Sequence, residues 1–165
     1  MPTFRHLLRV SRVQVLLAFL LVLGLSEALS VALAKPAHAY ASVVSRATSY
    51  TAVRIAASKR GAPYRWGADG PYRFDCSGLT TYVYRKRLHK WIPRTAQQQY
   101  NATRHINRRY RRPGDLVFFK NSRGHVYHVA IYAGSGRIWE AVRPGIPLRK
   151  DRIWSNHITY GRVHA

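Results

Sequence analysis

The chain contains one cysteine, Cys76, and it directly follows an acid, Asp75, in the string RFDCSGL. If Asp75 caps a helix, the thiol sits in the first turn, where unpaired N–H groups and the positive end of the dipole favour a thiolate. A nucleophilic thiolate needs a base. His128 is suited to that role, because on a strand it shares a face with Ala130 and Tyr132, opposite the apolar Val129, Ile131 and Ala133. A third group must accept the other ring N–H and fix the tautomer. Glu140 meets this need if Gly134-Ser135-Gly136 forms a three-residue turn: Ala130 then faces Glu140, and His128 lies diagonal to it on the same face. A two-residue turn would put the two on opposite faces. Together these three residues describe nucleophilic acyl transfer.

Plainer readings exist for each. Cys76 can be a small buried hydrophobe, and Glu140 an exposed acid that neutralises arginines. Against the first, Ser77 and Gly78 are small and do not look like core, and an exported lone thiol is an oxidation hazard. His125 and His128 differ by three and point to opposite faces of a regular strand, so HVYH is not read as a chelating pair. With a single cysteine, no thiolate-rich metal site can form, and no metal or organic cofactor is expected.

The elements that would position these groups are legible as a helical half followed by a stranded half. Apolar residues recur at helical spacing between Ser42 and Lys59, ended by Gly61 and Pro63. Residues 62–74 hold Pro63, Gly67, Gly70 and Pro71 and read as an ordered loop. A second helix is predicted from Cys76 to about Leu88, and a third from Thr95, which with Gln98 has capping-box spacing. Strands are predicted at Leu116–Phe119, His128–Ala133, Arg137–Val142 and Ile158–Val163. Helices first and strands afterwards imply an α+β domain with an antiparallel sheet.

Before this domain, Met1–Arg12 carries Arg5, Arg9 and Arg12 without an acid, and Val13–Leu25 is apolar but for Gln14. Ala37-His38-Ala39 then supplies small residues where a signal peptidase reads, so residues 1–39 are expected to be an export signal and 40–165 the mature domain. The alternative is an uncleaved anchor, with Val13–Ala34 spanning a bilayer if Glu27 is tolerated. After cleavage no stable membrane insertion is expected, and either way the domain lies outside the cytoplasm.

The strings PYRWGADGPYRFDCSGL (63–79), IPRTAQQQY (92–100), RPGDLVFF (112–119) and HVAIYAGSGRIWEA (128–141) resemble, in order and spacing, the NlpC/P60 family of cell-wall cysteine peptidases. The resemblance implies a papain-like α+β fold that hydrolyses amide bonds in peptidoglycan stem peptides, typically from γ-D-glutamate to a diamino acid. It places the nucleophile on Cys76, the base on His128, and on Tyr64 the tyrosine that assists the cysteine and the oxyanion. It implies that Asp75 and Ser77 line the subsite for the stem peptide's free N-terminus. Two positions depart from the pattern: Glu140 stands where the family most often has histidine, and Ala68 where it has a second glycine.

The net charge of +22, from 28 basic and 6 acidic residues, is not explained by such a site. Tyr84–Lys90 and Arg104–Arg112 concentrate it, either as solvated faces or as a surface retained on anionic wall polymers. No nucleic-acid-reading motif accompanies the charge, and the export signal argues against that partner. Two further classes remain open: a catalytically silent wall-binding protein on the same fold, and an amidase or acyltransferase for another extracellular amide.

Overall fold

The structure is a computed structural model describing residues 42–165; the export signal expected over 1–39 lies outside them. Helix α1, Arg46–Ala57, begins where Ser45 accepts a hydrogen bond from the Thr48 N–H, and it buries Ser49, Ala52 and Ala56. Helix α2, Cys76–Thr81, starts at its cap Asp75. The predicted single helix to Leu88 changes winding at Tyr82, and Tyr82–Arg87 is π-helical, with the Leu88 N–H bonded to the Val83 carbonyl. Over this turn three consecutive residues, Tyr82, Val83 and Tyr84, are all buried, and the Tyr84 hydroxyl donates to the Gly114 carbonyl. Helix α3, Ala96–Asn101, is opened by the predicted capping box of Thr95 and Gln98.

The strands are β1 (Arg104–Ile106), β2 (Leu116–Lys120), β3 (Val126–Gly134), β4 (Arg137–Glu140), β5 (Arg149–Arg152) and β6 (Ile158–Arg162). They form one antiparallel sheet in the order β1-β6-β2-β3-β4-β5. The central strand β2 is apolar on both sides because both faces of the sheet are covered. Leu116 and Phe118 pack with Ala52, Ala56 and Leu79 of the helices, whereas Val117 and Phe119 join Ala130, Tyr132, Ile138 and Tyr160 in a second cluster. This is the α+β arrangement predicted, with two edge strands added. Both β1 and β5 are short and charged, which suits an edge that must not recruit another chain.

Strand β3 carries two irregularities, and both bear on the site. At its start Phe119 pairs with His128 but Lys120 with Val126, so Tyr127 is bulged. At its end Tyr132 pairs with Ile138 but Gly134 with Arg137, so Ala133 is bulged. The expected three-residue turn is therefore corrected: Gly134 belongs to the ladder and the turn consists of Ser135 and Gly136. Both have positive φ, +50° and +69°, as a tight hairpin matching strand twist requires. The bulge restores the residue that the shorter turn removes, so the register at Ile131↔Trp139 is the one a three-residue turn would have given.

Candidate active site

Asp75 organises the start of α2. Its Oδ1 accepts from the Gly78 N–H at 2.6 Å and its Oδ2 from the Gly67 N–H at 2.8 Å, tying the helix to the preceding loop. Arg94 completes the arrangement with a bidentate pair to Asp75, at 3.1 and 2.6 Å, and a third bond to the Ser77 hydroxyl at 2.9 Å. Ser77 and Gly78, whose size suggested positions outside the core, are both buried. Smallness here permits close approach: a Cβ on Gly78 would overlap the carbonyl oxygen of Ala68. The cap leaves the first-turn N–H groups of Cys76 and Ser77 outside its own bonds, which use Gly78 and Leu79.

Buried Gln99 fixes α2 from below. Its amide donates to the carbonyls of Ser77 and Pro93, and its oxygen accepts from the Thr80 hydroxyl at 2.6 Å. Gln97 accepts from the Val126 N–H at 2.8 Å, joining α3 to the beginning of β3. The two elements carrying thiol and imidazole are thus held by one short helix.

His128 is 5% exposed and Glu140 1%. Glu140 Oε2 lies 2.8 Å from His128 Nε2, which leaves Nδ1 as the ring nitrogen for Cys76. Burial pulls the His128 pKa down, but hydrogen bonds to Cys76 and Glu140 outweigh it and raise it from 6.5 to about 9. The imidazolium is therefore the favoured form, beside the Glu140 carboxylate and facing the thiol. Glu140 also accepts from the Trp154 indole N–H, at 3.3 Å to each oxygen, and Trp154 stacks on Phe119 with ring centroids 4.3 Å apart. Phe119 lies in turn 5.1 Å from the imidazole.

Tyr64 is half-buried, and its phenol pKa is raised by burial and then by the charges of Cys76 and Asp75, against the opposing effect of Arg94. It stays a hydroxyl donor beside the thiol. Half-buried Cys76 opens into a groove of about 550 Å³ that also meets Trp66, Ser77, Arg94, His125 and Tyr127. All six residues singled out from the sequence, Cys76, His128, Glu140, Tyr64, Asp75 and Ser77, are gathered at this place. Arg94, Gln99 and Trp154 were not foreseen. Arg94 had a usable signal, since a buried acid on so basic a chain calls for a guanidinium; an isolated Trp154 had none.

A thiol at a helix start, faced by a buried imidazole–carboxylate pair on an antiparallel sheet, defines a papain-like α+β domain. The chain belongs to the NlpC/P60 family, whose pattern matches residues 61–162. It is 38% identical over 119 residues to the bifunctional muramidase/DL-endopeptidase CwlT of Bacillus subtilis, covering 68% of this chain and 36% of that one. Among solved structures, the NlpC/p60 domain of the peptidoglycan hydrolase SagA superposes with a TM-score of 0.62 at 32% identity, over 71% of this chain and 98% of that domain. RipD of Mycobacterium tuberculosis, described as a non-catalytic NlpC/p60 protein adapted to peptidoglycan binding, superposes with a TM-score of 0.59 at 25% identity, over 72% and 96%. The chain spans between 20% and 49% of the length of the curated relatives it matches.

Proposed function

We propose that this chain is an exported, cell-wall-associated cysteine endopeptidase that hydrolyses amide bonds in peptidoglycan stem peptides, at the bond between γ-D-glutamate and a diamino acid. The observation that carries this reading is buried His128, hydrogen-bonded to Glu140 and coupled electrostatically to Cys76, whose thiol opens into a groove. Its relatives include DL- and DD-endopeptidases.

In the reaction, the Cys76 thiolate attacks the scissile carbonyl carbon and forms the C–S bond. The first-turn N–H groups and the Tyr64 hydroxyl stabilise the oxyanion. Collapse breaks the C–N bond as His128 protonates the leaving amine; water, deprotonated by His128, then cleaves the thioester to a carboxylic acid and the free thiol. Asp75 and Ser77, with Arg94 beside them, form the polar wall that would receive the stem peptide's N-terminus. The basic surface would hold the protein on anionic wall polymers.

A silent wall-binding protein is the rival that RipD keeps in view. This chain carries Cys76, His128 and the acceptor Glu140, which supports the enzyme reading. Mass analysis of muropeptides incubated with the chain and with Cys76→Ala decides between them. Cleavage between D-glutamate and the diamino acid by wild type alone is expected; binding of intact walls by both without cleavage would establish the silent reading.

A further inference from the structure

Every side-chain carboxylate of the described chain is already engaged. Asp69 pairs with Lys86, Asp75 with Arg94, Asp115 with Arg162, Glu140 with His128 and Asp151 with Arg149. The other guanidinium groups can be neutralised only from outside, and they are not evenly spread.

At the sheet end far from His128, a trough of about 540 Å³ is lined by Arg46, Arg104, Arg109, Arg111 and Arg112, together with Arg162, whose charge Asp115 meets. Strand β1 stands three strand spacings from β3, on the order of 14 Å. Within the trough, Arg104 and Arg162 are direct cross-strand partners, a like-charge pairing that destabilises a sheet unless something bridges it. Asp115 answers only one side of the pair: this fully buried carboxylate accepts from the Arg162 side chain and from the Arg112 backbone N–H, and among the described residues no carboxylate pairs with Arg104. The Arg112 guanidinium bonds the Val44 carbonyl, while its Nε is buried with no hydrogen-bond partner. Burial, then repulsion from Arg162 and Arg46, lowers the Arg112 pKa. The fold thus holds several cations close together around a concave space.

We propose that this trough binds phosphodiester groups of a linear anionic polymer, at a site separate from the groove of Cys76. Guanidinium forks match phosphate oxygens two at a time and remain charged at any relevant pH. The trough is too broad for a single small oxyanion to contact all its arginines, which suits successive charges along a chain. Of its lining residues only Tyr110 is a large exposed apolar side chain, so it offers little to anchor a lipid surface. The choice of a wall polymer as source rests on the envelope reading above; the binding chemistry does not.

The test compares the full chain with R46Q/R104Q/R109Q and with R85Q/R143Q/K150Q, which removes the same charge from exposed positions elsewhere. Binding of fluorescent poly(glycerol phosphate) is measured at about 0.15 M salt. The trough variant should bind about tenfold more weakly, and the control within about twofold of wild type. Equal weakening in both, or none in the trough variant, overturns the proposal. Vesicles of phosphatidylglycerol form a second arm, and a trough-dependent preference for them overturns the polymer assignment. Muropeptide cleavage is followed separately, and its retention in the trough variant shows an intact fold. A chain that cleaves nothing yet binds the probe through the trough still supports the proposal; one that cleaves but ignores the probe overturns it.

Discussion

Glu140 reaches His128, Oε2 to Nε2 at 2.8 Å, across a hairpin whose register depends on the bulged residue Ala133. Sequence alternation alone makes the two residues partners or strangers according to a single residue in the turn, because side chains change face with every position. Here a two-residue turn plus one bulge gives the productive face. The carboxylate is buried and bonded on both sides, by imidazole and by the Trp154 indole, so it is placed to orient the ring and stabilise its cationic form.

The pH behaviour of the Glu140→Gln variant follows from that charge. The His128 pKa is raised on folding from 6.5 to about 9, so the associated stability is fully present below pH 6.5 and is lost as pH rises through about 9. Muropeptide hydrolysis should share this alkaline limit, since the leaving amine takes its proton from the imidazolium. In Glu140→Gln the limit should move to lower pH and kcat should fall about 10- to 100-fold. A pH–rate profile of both proteins checks this; an unmoved alkaline limb would show that Glu140 does not set the charge state of His128.

Trp154→Phe separates orientation from charge. Phenylalanine can keep the stacking on Phe119 but cannot donate to Glu140. A kcat reduced by about 2- to 10-fold with unchanged KM is expected, a modest effect because the lost bonds are long and the indole is half-exposed. Steady-state kinetics on a purified muropeptide provides the comparison, and a rise in KM alone would assign Trp154 to substrate contact instead.

Arg94→Lys tests the pair that closes the start of α2. Lysine keeps the charge but cannot bond both Asp75 oxygens and the Ser77 hydroxyl in one plane. A loss of about 1–2 kcal/mol is expected, limited because the Arg94 side chain is 35% exposed and water screens part of the interaction. Urea denaturation measures it. Stability equal to wild type would mean that the Gly67 and Gly78 N–H groups and the Ser77 hydroxyl satisfy Asp75 without Arg94.

The parts of the molecule that were legible in advance are those with local causes. Asp75 and Thr95 announce helix starts because a cap needs only a side-chain oxygen and nearby N–H groups. The apolar runs of β2 and β3 announce strands because both faces are covered. Strands β1 and β5 were not legible, since RHI and RKDR have no apolar alternation and exist through pairing with β6 and β4. The π-helical turn, the bulges at Tyr127 and Ala133, and the contact of Trp154 with Glu140 depend on where distant segments meet. Cys76, His128 and Glu140 could be singled out as candidates, but the register joining His128 to Glu140 rested on a turn whose composition did not reveal its bulge.

Gly78→Ala puts the close packing of the helix that carries Cys76 to the test. Judged by helix propensity alone the change should stabilise α2 by about 1 kcal/mol. The surroundings oppose it: the new Cβ would overlap the Ala68 carbonyl oxygen and stand 2.9 Å from Asp75 Oδ1. The first neighbour is backbone, held because its oxygen accepts the Asp75 N–H at 2.9 Å, so it cannot swing aside as a flexible side chain would. Relief requires moving the loop that carries Tyr64 and Trp66 away from the thiol, and with it the Gly67 N–H bond to Asp75. The variant should therefore be destabilised by about 1–3 kcal/mol and should lose muropeptide hydrolysis by more than about tenfold. Urea denaturation and a cleavage assay on the same preparation supply both readings. Retained stability with lost hydrolysis would mean that the loop yields and the helix does not, whereas full retention of both would show that the Ala68 backbone leaves more room than its position implies.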